Sequence, residues 1–298
     1  MIVAAARPLP PWLKQRLPDN STGTMLSLLR EFSLHTVCEE AGCPNIADCF
    51  CNKEFTFLIL GNTCTRHCLF CKVEKSARTV HSPDGGNLKQ VGAGMSRFVR
   101  SLNLRYVVIT SVTRDDLSDG GAAFFTHCVK EIKEYNKGVK IEVLIPDFQG
   151  SLSAIKVVSE SGACVLGHNI ETVPRLYHYL RPQADYARSL EVLKKAKDFK
   201  ESILTKSSLI LGMGEDEAEV IQAMRDLRKH RCDILVLGQY LRPSVRHYPV
   251  KEFITPERFQ EYRRMALSLG FRSVLSTPKA RSSYKAEEIY NEAVRCTI

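Results

Sequence analysis

From residue 55 onward, apolar and β-branched runs recur along the chain at Phe55–Leu60, Tyr106–Thr110, Val139–Ile145, Ala163–Leu166, Ile203–Leu211 and Ile234–Leu237. Each is almost continuously hydrophobic, the pattern of a strand buried on both faces of a parallel sheet. Between them, apolar positions return at helical spacing in Ala122–Tyr135, Leu152–Ser161, Ala187–Phe199, Ala218–Lys229 and Pro256–Leu269. The last of these opens with Thr255 as N-cap and proline at the first helical position. Strands alternating with helices predict a parallel sheet joined by right-handed crossovers. Six such units suit an α/β fold of the incomplete TIM-like (β/α)6 barrel type better than a closed eight-fold barrel, with a doubly wound open sheet as the competitor.

Outside the alternating region the pattern changes. Residues 1–53 form an N-terminal extension, 54–270 the partial barrel and 271–298 a C-terminal extension. Pro8, Pro10, Pro11 and Pro18 keep the start of the chain extended, and a short helix is expected over Thr24–Phe32. The stretch Cys38–Cys51, punctuated by Gly42 and Pro44, reads as a loop. At the other end, a short strand over Gly270–Leu275 precedes Thr277–Ala286 and a helix over Glu287–Val294. Polar, functional-group-rich segments follow the strands: Thr110–Asp116, His168–Thr172, Gly212–Glu215 and Gly238–Pro243. In parallel α/β barrels the active site lies at these C-terminal strand ends.

Lys and Arg outnumber Asp and Glu by 42 − 33 = +9. The excess favours an acidic partner. The basic residues are scattered, without aromatic interleaving, so an acidic protein is a better fit than nucleic acid. Met1–Arg7 has no basic region ahead of its apolar residues and is not a leader. No apolar run approaches the ~20 residues that span a bilayer. Of eleven cysteines, seven fall between Cys38 and Cys71. An odd number crowded into one segment of a long chain is not a disulfide framework, and it points to a reducing cytoplasm.

The first strand runs into Cys64-Thr65-Arg66-His67-Cys68-Leu69-Phe70-Cys71. Three thiolates at C-x3-C-x2-C spacing can hold three irons of a cubane and leave the fourth open for substrate. A zinc site would need a fourth ligand at similar distance. Upstream, Cys38, Cys43 and Cys49 stand at C-x4-C-x5-C, with Cys51 beyond. A zinc knuckle and a second cluster are equally compatible with that spacing, which cannot choose Cys49 over Cys51. Cys128, Cys164, Cys232 and Cys296 read as buried small hydrophobes. Gly120-Gly121 reads as a turn that could cradle an anion. Glu215 could bond a ribose or cap the following helix, and His168 and His247 are the histidines expected at the mouth.

The cysteine loop, with Phe70 before its last thiol, resembles the signature of radical S-adenosylmethionine (SAM) enzymes. Nearly the whole chain resembles the lipoyl synthase family. The residues carrying the likeness are Cys38–Asn45, Cys64–Cys71, Ile109–Leu117 with Asp119–Ala122, Pro146–Phe148, His168–Leu176, Thr205–Ser207 and the terminal Arg281-Ser282-Ser283-Tyr284.

That resemblance implies two 4Fe–4S clusters. Cys64, Cys68 and Cys71 would bind the one that cleaves SAM. Cys38, Cys43 and Cys49, with Ser283 as fourth ligand and Cys51 left out, would bind an auxiliary cluster that is broken up as sulfur donor. A serine oxygen is a harder, poorer partner for such a site than thiolate, which suits a site that must release iron. The implied reaction inserts two sulfur atoms into an octanoyl-lysine on a carrier protein, an acidic lipoyl domain or the glycine-cleavage carrier. A ferredoxin or flavodoxin would donate electrons and an iron–sulfur carrier would rebuild the spent cluster; neither a membrane nor a nucleic acid is involved. Phe70, Ser111, Asn169 and Glu171 are the SAM contacts inferred from the strand ends. The chain departs from the family pattern at His67, Leu69, Met213 and Thr277–Ala280, none a proposed ligand. The competing readings are another radical SAM sulfur-inserting enzyme, acting on tRNA or a small molecule, and a non-catalytic metal scaffold.

Overall fold

Eight strands form one sheet whose spatial order follows the sequence: β1 (His35–Thr36), β2 (Thr56–Ile59), β3 (Tyr106–Ser111), β4 (Lys140–Leu144), β5 (Val165–Gly167), β6 (Leu204–Leu211), β7 (Ile234–Gln239) and β8 (Ser273–Ser276). The computed structural model describes residues 8–14, 17–76 and 88–296; Met1–Arg7, read above as no leader, lies outside them. Every pairing from β2 to β8 is parallel, and only β1 runs antiparallel, against β2. The six expected strands are present, and the short strand expected near 270 adds a seventh parallel member. Among the described residues β8 does not pair with β1 or β2, so the barrel is incomplete.

The concave face is filled from the C-terminal side. Ala286, Ile289, Tyr290 and Ala293 of the helix Ala286–Arg295 pack on Tyr106 and Val108 of β3, Val165 of β5, Leu204 of β6, and Ile234 and Val236 of β7. One helix touching that many successive strands needs a sheet curled around it. On the same face, Lys206 Nζ lies 2.9 and 3.0 Å from the two Glu142 carboxylate oxygens, and the Tyr106 hydroxyl donates to Glu142 at 2.9 Å. A charge this deep is tolerated only when paired and hydrogen-bonded.

Three local expectations change. The N-terminal helix runs over Asn20–Glu31, starting before Thr24 because the Asp19 side chain caps Ser21 N and Thr22 N. Cys38–Cys51 is not a plain loop. It carries two short helices, Val37–Glu40 and Ile46–Cys51. The crossover between β2 and β3 contains a helix, Leu88–Ser101, that the pattern did not single out, and Pro174–Leu180 is a second such helix.

Candidate active site

Ile59 pairs with Ser111, Thr110 with Leu144, Leu144 with Gly167 and Leu211 with Gln239, so the strands finish at one rim. The cysteine loop leaves β2 at this rim. Its ends are pinned by a short parallel ladder, Thr63–Cys64 against Glu74–Lys75, and Lys75 Nζ donates to Cys68 O at 2.9 Å. Leu69 N donates to Leu180 O and Tyr248 N donates to Leu69 O, each at 3.0 Å. His67 N donates to Gln183 Oε1 at 2.7 Å, and His247 Nε2 lies 3.1 Å from Cys71 O. The loop backbone is therefore held largely by the segments after β5 and β7, while Arg66 N donates to Cys64 Sγ at 3.4 Å.

Beneath the loop Arg66 turns inward. Its guanidinium meets Asp115 at 2.7 and 2.9 Å and Asp147 at 2.6 and 3.0 Å, and Arg188 Nε adds a 2.8 Å bond to Asp147. Burial alone would raise the Asp147 carboxyl, but the bonds from Arg66 outweigh it and hold the group well below the usual carboxylate range. His168, fully buried beside this network, has Nδ1 2.9 Å from Ile145 O while Nε2 has no partner. Burial, helped by the Arg181 charge, pushes its ring down to about 4. It is a neutral imidazole at pH 7 with one orphaned nitrogen.

Of the SAM contacts inferred from strand ends, Ser111 has a buried Oγ without a protein partner. Buried hydroxyls rarely go unbonded, and such an atom at a strand end fits a polar ligand. Asn169 Nδ2 donates to Glu171 Oε1 at 3.0 Å, and Glu171 holds a left-handed φ of 66°. Burial pushes the Glu171 carboxyl up, against the pull of Arg181. Phe70 packs against the apolar cluster that includes Ile170, Leu209 and Met213. Cys71 is driven up to about 12 and Cys68 is raised, burial first in each case and neighbouring thiols after it, with Arg181 drawing Cys68 back. Neutral thiols of this kind become ligands only as a cation displaces their protons.

The upstream thiols form a separate group. Cys38 and Cys49 are buried and Cys43 half-buried. Burial drives Cys38 to about 12 and raises Cys49 as well, with the neighbouring Cys43 adding to both and Cys38 adding to Cys49. Cys51, two residues on from Cys49 in the same helix, is exposed, with its sulfur 3.6 Å from Ser21 Oγ. The C-terminal loop is tied to this segment at three points. Asn45 Nδ2 donates to Lys279 O at 2.7 Å, Tyr284 OH to Asp48 Oδ2 at 2.7 Å, and Lys285 N to Glu54 Oε2 at 3.2 Å. Ser283 lies between the first two, directly before Tyr284, and Arg281 lies close enough to Cys43 for their charges to interact. The neighbouring Ser282 Oγ donates to Asn169 Oδ1 at 2.9 Å. Among the described residues, no three His, Cys, Asp or Glu gather closely enough to hold a single ion, as the sulfurs of a zinc site would, about 4 Å apart.

Other expectations resolve locally. Gly120 and Gly121 are a left-handed turn, and a Cβ on Gly121 would collide with Leu60 Cδ1. Glu215 does not cap the following helix; its carboxylate accepts from Gly212 N and Met213 N, and Asp216 caps the helix in a capping box with Glu219. Cys296 is exposed and Cys164 half-buried, unlike the buried Cys128 and Cys232. The sequence reading assigned no role to Arg66, Asp147, Arg181, Gln183 or Arg188. Asp147 lies in a segment already singled out, but the pairing of Arg66 with residues 49 and 81 positions away leaves no local signal.

Residues 58–227 match the family model of the radical SAM superfamily. A lipoyl synthase of Caldicellulosiruptor saccharolyticus is 51% identical over 280 residues, which is 94% of this chain and 96% of that protein. A lipoyl synthase of Aquifex aeolicus is 52% identical over 261 residues, 88% of this chain and 92% of its own length. Among solved structures, methylornithine synthase has a TM-score of 0.55 at 16% identity, covering 94% of this chain and 81% of that one. A maturase of the FeFe-hydrogenase has a TM-score of 0.59 at 13% identity, covering 93% and 61%. At such low identity these two likenesses speak to the fold alone.

Proposed function

The chain belongs to the lipoyl synthase family of radical SAM enzymes, and from that premise we propose how its own residues divide the work. The family's activity is sulfur insertion into an octanoyl group on a lipoyl carrier protein, using a 4Fe–4S cluster and SAM. In our reading Cys64, Cys68 and Cys71 hold the SAM-binding cluster, with Phe70, Ser111, Asn169 and Glu171 around SAM. Cys38, Cys43, Cys49 and Ser283 hold a second cluster. When bound, the first cluster and SAM supply the adenosyl radical and the second supplies sulfide.

The protein's part is positioning. Arg66, gripped by Asp115 and Asp147, fixes the cysteine loop over the strand ends. Ser111 Oγ and His168 Nε2 are polar atoms without protein partners at that rim. Gln183, Leu180, Tyr248 and His247 hold the loop from its outer side.

The observation carrying the two-cluster reading is the set of three bonds that tie Asn45, Asp48 and Glu54 to the loop around Ser283. They support a ligand set drawn from both ends of the chain. The Ser282–Asn169 bond then links that set to the strand-end residues offered to SAM. A ferredoxin or flavodoxin as electron donor, an iron–sulfur carrier for repair, and a reducing cytoplasm complete the proposal. Among the described residues no helix is long and apolar enough to cross a membrane.

Iron and sulfide analysis of the anaerobically reconstituted chain tests this. About eight irons per chain are expected from two four-iron clusters; about four, or bound zinc, would remove the second cluster.

A further inference from the structure

The rim that holds the cysteine loop has an outer face of unusual composition. Leu69, Tyr179 and Val245 are 44%, 67% and 80% exposed, three of the ten large apolar side chains exposed among the described residues. They come from three segments, one after β2, one after β5 and one after β7. The Leu69–Leu180 and Tyr248–Leu69 backbone bonds join those segments into one surface. Isolated exposed apolar residues need no explanation, but a group on one face does.

Around the three side chains these segments carry no acidic residue, the nearest along the chain being Glu74, Glu171, Asp185 and Glu252 at the margins. Stretches 64–73, 172–184 and 240–251 contain neither Asp nor Glu, in a chain with 33 of them. Arg242, Arg246 and Lys251 are exposed on the last stretch. Arg242 braces it by donating to His247 O at 2.7 Å and to Val245 O, and Lys251 Nζ lies over the Tyr248 ring at 5.7 Å. Arg246 is exposed and outside this bracing.

We propose that this rim is the docking surface for the carrier: an acidic folded domain that sets an apolar spot against Leu69, Tyr179 and Val245 and carboxylates against Arg242, Arg246 and Lys251. The inference rests on the acyl-carrier substrate given above. A lysine bearing an acyl chain must be delivered from a domain too large to enter the barrel. That domain has to rest on the rim while the side chain passes inward. Cations around an apolar centre would speed encounter and suppress neutral competitors, while the apolar contact supplies register.

The test compares two substrates, an octanoylated acidic carrier domain and a short octanoyl-lysyl peptide with no acidic residue. With Arg246→Glu, KM for the carrier is expected to rise about ten-fold at low ionic strength, with a flattened salt dependence and unchanged kcat. Val245→Ser should raise the same KM, while kcat and KM for the peptide stay within about two-fold for both variants. An unchanged carrier KM in Arg246→Glu would overturn the surface alone, and so would an equal loss on the peptide, which would mean a distorted mouth. A wild-type chain that turns over neither substrate would overturn the carrier reading, and the surface with it.

Discussion

Arg66 and Asp147, 81 residues apart, meet in a two-pronged ion pair of 2.6 and 3.0 Å beneath the cysteine loop. The Arg66 side chain is 5% exposed and that of Asp147 not at all. Removing one partner of such a pair leaves a buried charge uncompensated, at about 3–5 kcal/mol. Asp147→Asn, which keeps the shape and removes the charge, should lower the stability of the metal-free chain by about 3 kcal/mol in urea unfolding at pH 7. It should also slow SAM cleavage by releasing the loop. An unchanged midpoint would show that Asp115 alone suffices for Arg66.

The two groups of thiols should separate by product. Cys64→Ala is expected to abolish reductive SAM cleavage, read as 5′-deoxyadenosine. Cys38→Ala should continue to cleave SAM and form no lipoyl product by mass spectrometry. Normal product from the Cys38 variant would end its role in sulfur donation. Ser283→Cys should retain iron and block turnover, because thiolate holds iron more firmly than a serine oxygen; an active variant would show that a labile oxygen ligand is unnecessary.

His168 gives a pH signature. Its folded ring titrates near 4, against 6.5 for the ordinary side chain. Between those values the unfolded chain binds a proton that the folded chain does not, so stability falls as pH drops from 6.5 to 4. The loss across the window is about 3 kcal/mol. Glu54, Glu171 and Glu215, all raised by burial, act in the opposite sense. The wild-type curve minus that of His168→Asn isolates the ring. Parallel urea-stability curves between pH 7 and 4.5 would show that the imidazole is not kept neutral by the fold.

The barrel was legible because its strands are buried on both faces and so nearly continuous in Val, Ile and Leu. The helix Leu88–Ser101 was hidden by Gly92 and Gly94, which weaken a helical reading. The fold uses them for close approach: a Cβ on Gly94 would lie 2.8 Å from Phe32 O, and one on Gly92 3.0 Å from Glu131 Cγ. Cysteine spacing revealed the two groups of thiols, but left Cys49 and Cys51 equivalent. They differ in which side of a short helix they occupy, and the loop reading contained no helix. Arg66 stood in plain view inside the motif, yet its function depends on Asp115 and Asp147, whose distance along the chain no local pattern records.

The bonds between Asn45, Asp48, Glu54 and the loop at Lys279–Lys285 also set an order of assembly. The Cys64–Cys71 loop closes its own ladder, Thr63–Cys64 against Glu74–Lys75, within a few residues, and its backbone is then held by Leu180, Gln183, His247 and Tyr248. The segment carrying the upstream thiols is tied to the C-terminal loop only across separations of 231 to 236 residues. Contacts that close such long loops form late, once the intervening chain has collapsed. On a ribosome, the first cysteine loop is complete once the segment after β7 has emerged, whereas the second group must wait for the C-terminal loop at Lys279–Lys285. Until then Cys38, Cys43 and Cys49 lack the cover of the Arg281–Lys285 loop, an interval in which iron delivery and oxidation would compete for the same three sulfurs.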